Sequence, residues 1–186
     1  MTERANIQYR KDETDRYASR KDFCRIFTEE LVGLYQLSFV LTRDPQKAEQ
    51  CFIGGLEDCV ARNSVFRDTA RSSAKRAIVQ NAIRELKPRP SLSNLPPLAA
   101  NFPDIDQLLS GPVNHSEIDA VFRLEDYERF VFVMCVLEQY SQHVCALLLG
   151  CSVREVREAH TRALNDLAHS PHINRSQNQI LVQERK

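Results

Sequence analysis

The sequence predicts an all-α chain of two small helical domains joined by a Pro-rich linker. Three observations predict this. Apolar residues recur at three- and four-residue spacing, and strand-like alternation is weak. Only five glycines occur in 186 residues. Most of the eight prolines gather between residues 88 and 116, where a long stretch without periodicity separates domains or serves a function. The expected organisation is a polar extension over 1–19, a helical domain over 20–88 and a Pro-rich acidic linker over 89–116. A second helical domain over 117–169 and a polar tail over 170–186 follow.

The first helix is expected from about Asp22 to Leu41, with Phe23, Ile26, Phe27, Glu30, Leu31, Leu34, Tyr35, Leu37 and Phe39 as a broad stripe. Asp44-Pro45 starts the next one, an N-cap followed by Pro at the first helical position. That helix reaches Val60 or Ala61, with Ala48, Cys51, Phe52, Leu56, Cys59 and Val60 on its inner face. Gly54-Gly55 interrupts it, at a cost of about 1 kcal/mol per Gly relative to Ala. A third helix fits Thr69 to Leu86 and stops before Pro88 and Pro90. Periodicity resumes near Ser116 and lasts to the region of Ala168.

The densest local signal is YSQHVCALLLGCSVREVREAHTRALNDLA. A helix from about Gln142 to Leu149 turns Val144, Cys145, Leu148 and Leu149 inward, and Ala146 is small where another helix crosses. Gly150 suits the left-handed residue that ends many helices. Ser152 with Glu155 three residues later makes a capping box. Val153, Val156, Ala163, Leu164 and Leu167 form the next inner stripe, with Arg154, Arg157, Glu158, Thr161 and Arg162 outside. This is the layout of a DNA-reading helix-turn-helix, whose second helix enters the major groove. Arg154, Arg157 and Thr161 would meet base edges or phosphates. A plain helical hairpin with a solvated polar face fits the same pattern.

Charge is blocked along the chain. The 25 basic and 25 acidic residues cancel to zero, which excludes a uniformly basic nucleic-acid binder. Residues 61–90, however, carry a net +6 and residues 91–130 a net −5. No stretch approaches the ~18–20 apolar residues that span a bilayer. The start is polar and lacks an apolar signal region, so the chain reads as cytoplasmic, with reduced cysteines. His143, Cys145, Cys151 and His160 match no common zinc spacing. No phosphate-binding, metalloprotease or nucleophile-elbow motif occurs, so no enzyme activity, cofactor or small-molecule substrate is expected. The pairs Glu29-Glu30 and Glu57-Asp58 point to different helix faces and read as solvated surface.

These segments together resemble bacterial RNA polymerase sigma factors of the sigma-70 family, in their small extracytoplasmic-function form, over about residues 20–169. RFVFVMCVLEQYSQHVCALLLGCSVREVREAHTRALNDL is similar to the sigma-four domain. It supplies Leu137-Glu138, Ser141, Leu148-Leu149-Gly150, Ser152, Val156, Arg162-Ala163 and Leu167. FTEELVGLYQLSFVLTRDPQKAEQ is similar to sigma-two, through Leu41-Thr42, Asp44, Ala48 and Glu49, and KRAIVQNAIRELKPR to its basic helix.

The resemblance implies binding to core RNA polymerase through Asp44, Ala48 and Glu49. It implies −35 recognition through Ser152, Arg154, Glu155, Arg157, Glu158, Thr161 and Arg162. It implies −10 contacts through Arg71, Lys75, Arg76, Gln80, Asn81, Arg84 and Lys87. An anti-sigma protein is a further implied partner, and no membrane contact is. The linker acids Asp104, Asp106, Glu117 and Asp119 would either mimic nucleic-acid charge or act as a solvated spacer.

The chain departs from the family pattern at Gln50, Ile53, Gly54 and Val60, in a short loop over Arg62–Ala70, and at Glu158 and Ala159. These departures support an alternative: a divergent sigma-like DNA-binding or protein-interaction module that has lost promoter opening.

Overall fold

The computed structural model describes residues 16–62, 64–90 and 115–169, and the side chains of 115–117 are not described. Among the described residues the regular elements are helices, apart from an isolated antiparallel bridge between Tyr17 and Phe66. The chain divides into two compact units, Met1–Lys87 and Pro88–Lys186. Most of the expected linker and the tail from residue 170 lie outside the described residues. Asp104 and Asp106 lie there too.

The N-terminal unit holds α1 (Arg20–Glu29), α2 (Leu31–Thr42), α3 (Pro45–Ala61), a 3-10 turn (Arg67–Thr69) and α4 (Ala70–Leu86). Helix α1 begins two residues before the expected start, because Ser19 and Asp22 close a capping box. The Ser19 N–H donates to Asp22 Oδ2 at 2.9 Å, and the Asp22 N–H donates to Ser19 Oγ at 3.3 Å. The Ser19 backbone N–H and then its hydroxyl hold the Asp22 carboxyl below the usual range.

A depressed folded pKa adds stability above the unfolded Asp value of about 3.9, lost as pH falls through the folded value. The N-terminal unit should therefore lose stability on acidification below about pH 4. Asp22→Asn should flatten that dependence in urea melts at pH 3 and pH 6. An unchanged slope would remove Asp22 from the list of contributors.

The expected single helix over 22–41 is two helices. The stripe's phase passes through Glu30, a carboxylate, and the backbone bends there to φ −106° and ψ 21°. Leu31, expected on the stripe, points outward. Phe23, Ile26, Phe27, Leu34, Leu37, Phe39 and Leu41 are buried. The Ser38 and Thr42 hydroxyls, also buried, donate back to the Leu34 and Ser38 carbonyls, which satisfies polar groups within the core. Residues 16–18, the end of the expected polar extension, are tied down. Ala18 N–H donates to Val65 O at 2.7 Å, and Tyr17 stacks on Phe66 at 5.0 Å.

Helix α3 starts where the sequence places it. Asp44 Oδ1 accepts from the Gln46 and Lys47 N–H groups at 2.8 and 3.0 Å, ahead of Pro45. The helix then runs unbroken through Gly54-Gly55. This corrects the expectation that the glycine pair interrupts it. A Cβ on Gly55 would stand 2.8 Å from Ile78 Cγ1 and 3.3 Å from Ile78 N, and one on Gly54 2.5 Å from Asn81 Oδ1. Opposite them α4 buries Ala70, Ala74, Ala77, Ile78 and Ala82. The glycines let α3 and α4 approach closely, and α4 is the principal partner of α3.

The C-terminal unit holds α5 (His115–Arg123), α6 (Asp126–Phe132), a π-helical turn (Val133–Leu137), α7 (Gln142–Leu149) and α8 (Val153–Ala168). Phe122, Phe130, Val131, Val133, Met134, Cys145 and Val156 fill its core. Arg129 is fully buried, donating to Leu124 O at 3.2 Å and to Asp126 Oδ1 at 2.8 Å.

Candidate nucleic-acid interface

The helix-turn-helix expected over Gln142–Ala168 forms as α7, a turn and α8. Ser141 caps α7, with the Val144 N–H donating to its Oγ. Gly150 adopts φ 67°, and the Cys151 N–H reaches back to Ala146 O at 3.0 Å. That closure needs a residue that tolerates the left-handed region, and glycine does so without a Cβ penalty. Ser152 then starts α8 with a complete capping box. Its N–H donates to Glu155 Oε2 at 2.8 Å, and the Glu155 N–H donates to Ser152 Oγ at 3.2 Å.

The phase of α8 differs from expectation by part of a turn. Val156, Ala159 and Ala163 face the core, whereas Leu164 is 44% exposed. Ala159, named only as a departure from the family pattern, is a core residue, and Leu164, expected on the inner stripe, is not. Small residues at 159 and 163 allow α8 to lie close on α6, its main partner. In α7, Cys145 and Ala146 are buried, while Val144, Leu148 and Leu149 are only half-buried.

The expected −35 residues separate into groups. Ser152 and Glu155 are engaged in the cap, and the Ser152 backbone N–H holds the Glu155 carboxyl below the usual range. Arg154 Nε donates to Glu158 Oε1 at 2.8 Å, and that bond raises the arginine above its ordinary value. Arg162 Nε donates to Glu128 Oε1 at 2.6 Å, and Glu128 is 7% exposed. Arg162 thus joins α8 to α6. The Thr161 hydroxyl donates to the Arg157 carbonyl at 3.0 Å. Arg157 is exposed and has no ion pair among the described residues.

The basic helix α4 is similarly self-paired. Arg71 meets Glu29 at 3.1 Å and also Glu30. Arg84 reaches Asp58 at 2.5 Å and Asn81 at 2.7 Å, while Asn81 donates to Asp58 at 3.0 Å. Gln80 accepts from Arg62 at 3.2 Å. Glu29, Glu30 and Asp58, expected as solvated surface, are partners of α4, and Glu29 stays exposed. Lys75 is half-buried, and Arg76 is exposed. Lys87 ends the helix in the left-handed region at φ 48°.

Of the expected polymerase-binding residues, Asp44 is the α3 cap and Glu49 is exposed. Ala48 is fully buried and belongs to the core. Gln50 and Ile53 are exposed beside Glu49 on the same helix. The acidic partners Glu128, Asp58, Glu29 and Glu30 were not singled out by the sequence as site residues. They lie 26 to 42 positions from the arginines they hold, and no local spacing announces such pairs.

Among the described residues, no helix is long and apolar enough to cross a membrane, and no cluster of His, Cys, Asp and Glu could hold a metal ion. Compared with protein-family models, curated proteins and solved structures, the chain has no significant match.

Proposed function

We propose that the chain is a sigma-factor-like DNA-binding protein, whose C-terminal unit reads duplex promoter DNA with α8. Its N-terminal unit binds core RNA polymerase and the −10 region in this reading. The observation that carries it is the α7–Gly150–α8 arrangement, with a left-handed glycine turn and a capped second helix that presents Arg154 and Arg157 to solvent.

The second reading, duplex binding without promoter opening, is favoured by one observation. Arg71, Arg84 and Asn81 are held by carboxylates of the same unit, which leaves fewer cations on α4 for a separated strand.

Arg157→Ala is expected to lower duplex affinity uniformly across sequences and to reduce the slope of log affinity against log salt by about one unit. An unchanged slope would mean that Arg157 meets no phosphate. The deciding experiment combines selection from random duplexes with run-off transcription by purified core polymerase. An enriched duplex and template-directed transcripts support initiation. An enriched duplex without polymerase binding supports the second reading. Enrichment of no duplex overturns both.

A further inference from the structure

Six cysteines are free in this chain, and two of them stand together. Cys135 lies in the π-helical turn and Cys145 on α7, with their sulfurs 3.3 Å apart. A disulfide requires about 2.05 Å, so roughly 1.3 Å of approach separates the two thiols from a covalent bond. Both belong to the C-terminal unit. Cys145 is fully buried and Cys135 partly exposed, so a small oxidant reaches one sulfur first and finds the second beside it.

The remaining cysteines lack this arrangement. Cys24 is exposed, and no other cysteine sulfur stands close to it among the described contacts. Cys51 and Cys59 are buried, and burial pushes both thiols up to about 11. Cys151 contacts the Tyr127 hydroxyl at 3.2 Å.

We propose that Cys135 and Cys145 form an oxidisable dithiol, a modification site for hydroperoxides that closes to a disulfide within the C-terminal unit. The Cys135 sulfur attacks a peroxide oxygen, the O–O bond breaks, and hydroxide leaves and is protonated to water. The Cys145 sulfur then attacks the Cys135 sulfenic acid. The S–S bond forms, the S–O bond breaks, and the departing hydroxide takes the Cys145 proton as a second water. Two electrons pass from the two sulfurs to the peroxide.

The division of roles follows the hydrogen bond between the thiols. Cys145 holds the Cys135 thiol below the usual cysteine range, and Cys145 itself is pushed upward by the same bond and by burial. The thiolate is the nucleophile toward peroxide. Cys135 therefore reacts first and Cys145 resolves. The bond would tether the segment before Ser141 to the first helix of the helix-turn-helix. The inference does not depend on the chain binding DNA.

The test uses the reduced full-length chain, treated with an equal amount of hydrogen peroxide, alkylated and mapped by mass spectrometry. The expected product lacks two hydrogens, carries a Cys135–Cys145 cross-linked peptide and returns to two thiols with dithiothreitol. Cys135 should be consumed at least tenfold faster than Cys24. Cys145→Ser should leave a sulfenic acid on Cys135 that dimedone captures, and Cys135→Ser should leave Cys145 reduced. Oxidation of Cys24 at the same rate or faster, or a sulfinic acid on Cys135 with Cys145 still a thiol, would overturn the proposal. The wild-type map needs no substitution, so it decides even where a variant fails to fold.

Discussion

Gly55→Val is expected to destabilise the N-terminal unit by about 1–3 kcal/mol or more, through overpacking. Helix propensity alone gives the opposite sign, because glycine within a helix costs about 1 kcal/mol relative to Ala. The crossing decides between the two effects. A Cβ at this position already stands 2.8 Å from Ile78 Cγ1, with the Ile78 backbone N at 3.3 Å and Cα at 3.4 Å. A flexible side chain could turn aside, but backbone of α4 cannot move without shifting Ala74, Ala77 and Ala82, all fully buried.

Gly33→Ala in α2 provides the contrast. Nothing lies within 4 Å of its Cβ position, so it should stabilise by about 0.5–1 kcal/mol. Urea unfolding of the two variants reads both signs in one host. Stabilisation by both substitutions would show that α3 and α4 are not held at close approach.

Phe130→Ala is expected to cost the C-terminal unit about 3–5 kcal/mol. Phe130 is fully buried, as are Val131, Val133, Met134 and Val156, and a unit of this size has little stability to spare. The variant's amides in α6 to α8 should exchange freely while those in α1 to α4 keep their protection. Hydrogen exchange followed residue by residue makes the measurement. Loss of protection in both units together would show that they fold as one cooperative body.

Local chemistry was legible in the sequence, and distant partnership was not. The Asp44-Pro45 start, the Ser152–Glu155 capping box and the Gly150 turn each rest on residues within four positions of one another, and each appears in the structure. The all-helical character follows from spacing in the same way. The glycine pair misleads because its cost is local, while its benefit needs Ile78 and Asn81 more than twenty positions away. The bend at Glu30 is similar, since its carboxylate meets Arg71 forty-one residues later. The phase of α8 shifts because Ala159 reads as neutral in a helical wheel, yet it is small enough to lie at the contact beside Ala163, which the stripe included. The candidate site was legible as a set of outward basic residues. Their internal carboxylate partners were not, and these decide which charges remain available.

In the proposed DNA-binding reading, those carboxylates would make recognition an exchange rather than a landing. An incoming phosphate that takes Arg84 or Arg71 must displace Asp58 or Glu29 and then faces the anion it has orphaned. Exposed pairs of this kind contribute about 0–1 kcal/mol each, so the carboxylates lower the net charge that α4 presents without locking its arginines in place.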